Sequence, residues 1–224
     1  MSQFPSIISR SQAASPASND TVHSITLPSS ILAGDLVIIC FSVDASENPA
    51  VTTGTNWTRL DYLPSSTACT GSVFYKVFTV NGPETVVITT TTEQSSHICF
   101  KIRGHNPVTP IIYCTSVAGD STNADPPSHT PGYVTQDYLW IIYCAHDAQV
   151  VATACDANFS NLTTQAAAGS AGASTSVADR SYRVGTAYNP GAFTSNTEQC
   201  VAFTICINPI LGCGMTARGT AALA

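Results

Sequence analysis

The feature that most restricts the fold of this chain is a repeated order of short apolar segments. Asp35-Leu36-Val37-Ile38-Ile39 leads to Asp44-Ala45, and Asp137-Tyr138-Leu139-Trp140-Ile141-Ile142 leads to Asp147-Ala148. Asn56-Trp57-Thr58-Arg59-Leu60 then answers to Asn158-Phe159-Ser160-Asn161-Leu162, and Tyr75-Lys76-Val77 to Tyr182-Arg183-Val184. Each series closes on a Glu-Gln pair, Glu93-Gln94 or Glu198-Gln199, followed by alternating apolar residues. The order is kept, and the separation of matched residues stays between 102 (Asp35 to Asp137) and 107 (Tyr75 to Tyr182). Such self-similarity predicts one supersecondary unit built twice. A unit of about 80 residues is thin for independent stability, so the two halves are expected to share one core.

Strand signals dominate both halves. Ile98, Phe100 and Ile102 alternate with His97, Cys99 and Lys101, and Phe203, Ile205 and Ile207 alternate with Thr204 and Cys206. That period of two is the signature of a half-buried strand. Leu36 to Val43 and Leu139 to Cys144 are instead continuous apolar runs, as expected of central strands covered on both faces. Pro- and Gly-containing breaks such as Asn81-Gly82-Pro83 and Asn189-Pro190-Gly191 separate the segments. Gln165 to Ala173, the most helix-like in composition, contains Gly169 and Gly172 and reads as a loop. The expected fold is all-β: a jelly-roll-like β-sandwich built from two degenerate repeats, with extended N- and C-terminal tails. Its divisions are an N-terminal extended arm over 1–20, a single sandwich over 21–208 with repeat halves of about 22–103 and 128–208, and a Gly/Ala-rich tail over 209–224.

Composition narrows the function. Charged residues are 10% of the chain, Lys and Arg number only 8, and the formal net charge is −6. Phosphate neutralisation needs clustered cations, so nucleic acid is not an expected partner. The apolar runs are far shorter than the roughly 20 residues that span a bilayer, so no membrane partner is expected either. The N-terminus has no basic segment followed by an apolar stretch, which predicts synthesis in a cytoplasm. Scarce charge and low-complexity ends, which need a neighbour to lie on, suggest a protein packed against partners.

Residues able to do chemistry are few in pattern. The nine cysteines form no paired Cys-x-x-Cys sets, and five of them lie inside apolar runs, where a thiol acts as a small hydrophobe. They are expected to be mostly reduced and buried. The five histidines show no ligand spacing. The matched carboxylates Asp44 and Asp147 end long strands, while Glu93 and Glu198 precede others; such groups can bind a cation or move a proton, but more often they hold loop amides. His146-Asp147 could belong to a hydrolytic triad, but no serine is placed by the sequence. Trp57 and Phe159 occupy matched positions, as do Val37 and Trp140; exposed, the aromatics would stack on sugars, but core plugs are the expectation. No catalytic, cofactor-binding or metal site is therefore expected, and no cofactor.

The combined motifs resemble a duplicated β-sandwich family of bacteriophage virion proteins. Its members carry a strand ending in Leu-Pro (Ile25-Thr26-Leu27-Pro28) and an Ala-Gly-Asp before an apolar strand (Ala33-Gly34-Asp35-Leu36). A Trp-Thr element (Trp57-Thr58), a Tyr-Lys/Arg-Val strand (Tyr75-Lys76-Val77) and a segment like Asn189-Pro190-Gly191-Ala192-Phe193-Thr194 follow. The likeness spans roughly residues 20 to 208. It implies a non-enzymatic virion structural protein of the capsid decoration or cement, head-fibre or tail-fibre type. The leading expectation is a capsid-surface protein that stabilises an icosahedral shell, with the major capsid protein and its own copies (a homotrimer) as partners. The alternative is a receptor- or glycan-binding fibre module. The many cysteines and the shortage of loop aspartates depart from the family pattern.

Overall fold

The computed structural model describes residues 4–15, 18–121, 124–131, 135–169 and 172–210. Among them the ordered elements are all strands. The first seven are β1 (Ser6–Ala14), β2 (Asp20–Ile25), β3 (Leu36–Asp44), β4 (Ala50–Thr53), β5 (Thr58–Ser65), β6 (Cys69–Val77) and β7 (Val86–Glu93). The remainder are β8 (Ser95–Arg103), β9 (Ile111–Ser121), β10 (Gln136–His146), β11 (Ser160–Ala166), β12 (Ser174–Val184) and β13 (Glu198–Ile207). Two five-stranded antiparallel sheets have the orders β1-β8-β3-β6-β5 and β11-β12-β10-β13-β9, and a smaller sheet has the order β2-β7-β4.

The two continuous apolar runs are the central strands β3 and β10, and the pleat divides each between two cores. Leu36, Ile38 and Cys40 of β3 meet Leu139, Ile141 and Tyr143 of β10 in the layer between the large sheets. Ile98, Phe100, Ile102, Phe203, Ile205 and Ile207 share that layer, as their alternation requires. The opposite face of β3, with Ile39, Phe41 and Val43, packs on Val86 and Ile88 of the small sheet. The opposite face of β10, with Tyr138, Trp140, Ile142 and Cys144, is covered by Ala124, Ala152, Phe159 and Phe193.

A polar seam crosses the inner layer. The Ser42 hydroxyl lies 2.9 Å from Tyr143 Oη and 2.7 Å from Thr175 Oγ1, which is itself 2.8 Å from Ser96 Oγ. Tyr143 donates onward to the Phe41 carbonyl at 2.7 Å. All four side chains are fully enclosed, so each hydroxyl needs the others.

Three expectations are corrected. The halves do not interleave as in a jelly roll: β1, β3, β5, β6 and β8 make one large sheet and β9 to β13 the other. Each central strand thus pairs only within its own half, β3 with β8 and β6 and β10 with β12 and β13. Second, the N-terminal extended arm expected over 1–20 is, over Ser6–Ala14, part of a sheet rather than separate from the sandwich. Ser6–Ala14 is an edge strand paired with β8, and its Arg10 forms an ion pair with Asp179 of β12 and lies over the Phe100 ring. Its hydroxyl-rich sequence suits an edge, where one side of the strand stays unpaired. Third, Gln165 and Ala166 end β11 rather than belonging to a loop. Of the expected tail, 211–224 and with it Cys213 lie outside the described residues.

Both large sheets point the same way. At one end Leu36 lies beside Val77 and Ile102, Leu139 lies beside Ile207, and a bridge between His105 and Pro209 ties the sheets. At the other end Asp44 lies beside Cys69, whose Sγ is 3.7 Å from the Gln199 carbonyl oxygen and 3.9 Å from that of Ala145.

Gly71 marks a close approach between the sheets. A Cβ there would lie 2.5 Å from Phe203 Cε2 and 3.2 Å from Tyr143 Oη, whose rings stack at 4.9 Å. Gly71→Ala is therefore expected to overpack the core by about 1–3 kcal/mol. Thermal unfolding followed by circular dichroism should show a melting temperature lower by roughly 2–4 °C per kcal/mol.

Candidate functional site

The matched carboxylates of the sequence do come together. Asp44 ends β3 and Asp147 follows β10, and their backbone amides donate to the carbonyls of Gln94 and Gln199, each at 3.0 Å. The next residues, Ala45 and Ala148, adopt left-handed backbone conformations with φ of 66° and 60°. Their amides donate back to Asp44 Oδ1 at 2.8 Å and Asp147 Oδ1 at 2.9 Å. The two carboxyl groups stand near enough across the sandwich to perturb one another. Burial pushes both above the ordinary aspartate range, and for Asp147 the charge of Asp44 adds to it. Glu93, raised by burial and by Glu47, stands nearby and lifts Asp44 further.

The opposite end has the reverse character. Arg103 Nε and Nη2 grip Asp35 at 2.5 and 3.1 Å, Lys76 meets Glu84 at 2.7 Å, and Arg183 meets Asp137 at 3.0 Å. Burial opposes ionisation of Asp35 and Glu84, but their hydrogen bonds to Arg103 and Lys76 prevail and hold both below the usual carboxylate range. Lys101 Nζ donates to the Ser29 carbonyl at 2.7 Å. The remaining described cations, Arg10, Arg59 and Arg180, sit part-way along β1, β5 and β12. Of these, Arg59 donates to Asn48 Oδ1 at 2.6 Å and to the Pro49 carbonyl at 2.9 Å, in the segment that follows β3.

Two serine–histidine contacts were not legible in the sequence. His23 Nδ1 lies 2.8 Å from Ser95 Oγ, and its Nε2 lies 2.7 Å from Thr90 Oγ1, whose hydroxyl donates to the Thr91 carbonyl. Since the Thr90 proton is already used, His23 Nε2–H donates to Thr90 and Ser95 donates to Nδ1. The pair lines a cleft of about 230 Å³ together with Asp20 and His97. On the second large sheet, His146 Nε2 lies 3.1 Å from Ser195 Oγ and its Nδ1 lies 3.7 Å from Cys144 Sγ. This supplies the serine that the sequence left unplaced, but the group behind the imidazole is a thiol, and the Asp147 carboxylate accepts from the Ala148 amide instead. Burial lowers His23 and brings both His97 and His146 down to about 4, so these rings are neutral and weakly basic near neutral pH. A general base works best with a pKa near the operating pH, which suits these imidazoles to holding hydroxyls rather than activating them.

The other candidates fall into the packing. Trp140 is fully buried and Phe159 nearly so, both on the outer face of the second large sheet rather than at a sandwich end. Trp57 is half-buried, with its Nε1 donating to Glu84 Oε1 at 2.6 Å. Among the described residues eight cysteines are thiols rather than disulfides; six are buried, and Cys114 and Cys155 are half-buried. Burial pushes the Cys40, Cys69, Cys99, Cys144 and Cys206 thiols up, which keeps them un-ionised. Among the described residues no group of three or more His, Cys, Asp or Glu is placed to hold a metal ion. Comparison with known proteins finds no matching family description, no matching curated protein and no matching solved structure.

The histidines make a pH prediction. A histidine held at about 4 in the fold, against about 6.5 when unfolded, contributes stability that is full above the unfolded value and is lost as pH falls toward the folded one. His146→Gln keeps a hydrogen-bonding side chain but removes this titration. Its melting temperature should therefore fall less than that of the wild type between about pH 6.5 and pH 4.

Proposed function

We propose that this chain is a non-enzymatic structural protein of a bacteriophage virion, placed on the capsid surface, where it decorates and stiffens the shell. The two matched series of segments would then be a duplicated unit, one copy per large sheet, and the protein would bind the major capsid protein and its own copies. The family resemblance supplies the class.

One structural observation carries the reading: the two ends of the sandwich differ in kind. Five of the eight exposed large apolar residues, Ile8, Leu32, Val80, Val108 and Ile210, belong to β1 or to loops at the ion-paired end, and Val108 is 85% exposed. The first and last described segments also lie there, because Ser6 pairs with Arg103 and the Ile210 amide donates to the Gly104 carbonyl at 3.0 Å. Exposed apolar tips clustered at one end, with their neighbouring charges already paired, suit a surface that is buried on assembly. The acidic end suits the solvent side, where net charge keeps assembled particles apart.

Quantitative mass spectrometry of purified particles tests this reading. Hundreds of copies per particle are expected of a shell protein. A handful would favour the receptor- or glycan-binding fibre alternative, and complete absence from particles would overturn both. Within the shell reading, the triple variant Val80→Asp, Val108→Asp, Ile210→Asp should fold with wild-type circular dichroism. Its occupancy on particles should nevertheless fall at least about tenfold, as one buried charge alone costs several kcal/mol. Removing residues 1–20 would be a poorer probe, since it strips β1 from the sheet.

A further inference from the structure

We propose that the cleft bordered by His97, Asp20 and Ser24, where β1, β2 and β8 meet, is a binding site for a single neutral sugar ring. This inference goes beyond the shell reading and does not depend on it, because it concerns the isolated protein.

The deepest group of the cleft is a donor with nothing to donate to. His97 borders the cleft and is only 2% exposed. The Thr26 amide donates to its Nε2 at 3.0 Å, so that nitrogen carries the lone pair and the neutral ring holds its proton on Nδ1. Burial keeps the ring neutral near pH 7. Among the described residues Nδ1–H finds no acceptor, and what remains to meet it is the cleft. A buried donor left unmade is costly, so a fold that keeps one calls for a group to complete it. The neighbouring hydroxyls are already engaged. Ser95 Oγ donates to His23 Nδ1 at 2.8 Å, and Ser15 Oγ donates to the Ser95 carbonyl at 3.1 Å while accepting from the Ser95 amide at 2.7 Å. These bonds fix the wall in place and leave His97 as its one unused donor.

The exposed lining selects the ligand. Asp20 Oδ1 accepts from the Val22 amide at 3.1 Å, which leaves Oδ2 open as an acceptor among the described residues. The Ser24 hydroxyl, on the exposed face of β2, can give or take a hydrogen bond. Neither Lys nor Arg lines the cleft, so a phosphate or carboxylate would meet the Asp20 charge with no cation to offset it. A metal ion is no better served, because the His97 Nε2 lone pair is taken and Nδ1 carries the proton. A neutral hydroxylated ring meets every condition. One hydroxyl accepts from His97 Nδ1–H, another on the same ring donates to Asp20, and Ala14 and Val22 offer methyl surface to its C–H face. The cleft, about 230 Å³, is smaller than the roughly 300–1,000 Å³ of sites for drug-sized ligands, which suits one ring rather than a chain.

The test is nuclear magnetic resonance of the full chain, reading the His97 imidazole and the Asp20 and Ser24 amides. Glucose, galactose, mannose and N-acetylglucosamine are each added alone, with sodium phosphate as a fifth probe. A ligand of about a dozen non-hydrogen atoms is expected to bind with a dissociation constant on the order of 1–10 mM. At least one of the four sugars should shift all three signals saturably, and phosphate should shift none. Ser24→Phe fills the cleft from an exposed position, so it should keep wild-type circular dichroism and weaken that binding at least about tenfold. If Ser24→Phe does not fold, Val22→Trp, at a cleft position 49% exposed, takes its place. Saturable shifts that vanish in the filled variant support the site. No saturable shift with any sugar at about 50 mM overturns it, as do shifts that survive filling or a response to phosphate alone. A long-lived water on His97 Nδ1 with no sugar response also overturns it. None of these results bears on the copy number of the protein on particles, so this site and the shell reading stand or fall separately.

Discussion

Two-sided coverage of β3 and β10 is the constraint on which the rest of this structure depends. A strand with apolar residues on both faces cannot leave either to water, so each sheet must find a layer on both sides. The inner faces satisfy one another. The outer face of β3 draws in the small sheet formed by β2, β7 and β4, and the outer face of β10 draws in the segments that carry Phe159 and Phe193. The exposed residues are then mostly hydroxyls and small side chains, which explains how a chain with so few charges leaves only scattered large apolar groups uncovered.

Within that layering the buried hydroxyls of Ser42, Ser96, Thr175 and Tyr143 give the inner core a fixed register. Apolar side chains alone would tolerate a sheet sliding by a fraction of a residue. A set of hydroxyls that must all find partners tolerates it far less, because each broken bond leaves a dry polar group costing about 1–3 kcal/mol. The seam lies near the ends of β3 and β8, toward the acidic end, so it also sets how closely Asp44 and Asp147 approach.

The central and alternating strands were legible in the sequence because each has a periodicity that burial alone explains. The edge strand β1 was not, since Ser6–Ala14 faces a neighbour on one side only and its place is set by Arg10 reaching Asp179, a contact 169 residues away in sequence. The same holds for Ser95 with His23 and Ser195 with His146, which come from separate elements and leave no local spacing to find. Asp44 and Asp147 were legible as a matched pair but not as neighbours across the sandwich. Their meeting requires two sheets that stack with corresponding ends together, where an interleaved sandwich would have distributed those strand ends differently. The carboxylates thus became neighbours through the layering, not through any feature of their own segments.

The closeness of Phe4 and Ile210 has a mechanical consequence. Gly104 lies against the Phe4 backbone, and its carbonyl holds the Ile210 amide, so one residue stands between those two points. Tension applied across these points passes first through that short bridge and not through the cores between the sheets. Once the bridge gives way, β1 is loaded from its first residue and peels from β8 one hydrogen bond after another, a low-force mode. Shear forces borne by the rest of the body, away from those two points, must instead slide whole sheets over the interlocked rings of Tyr143 and Phe203. The molecule is therefore compliant along the line through Phe4 and Ile210 and stiff in the directions across it.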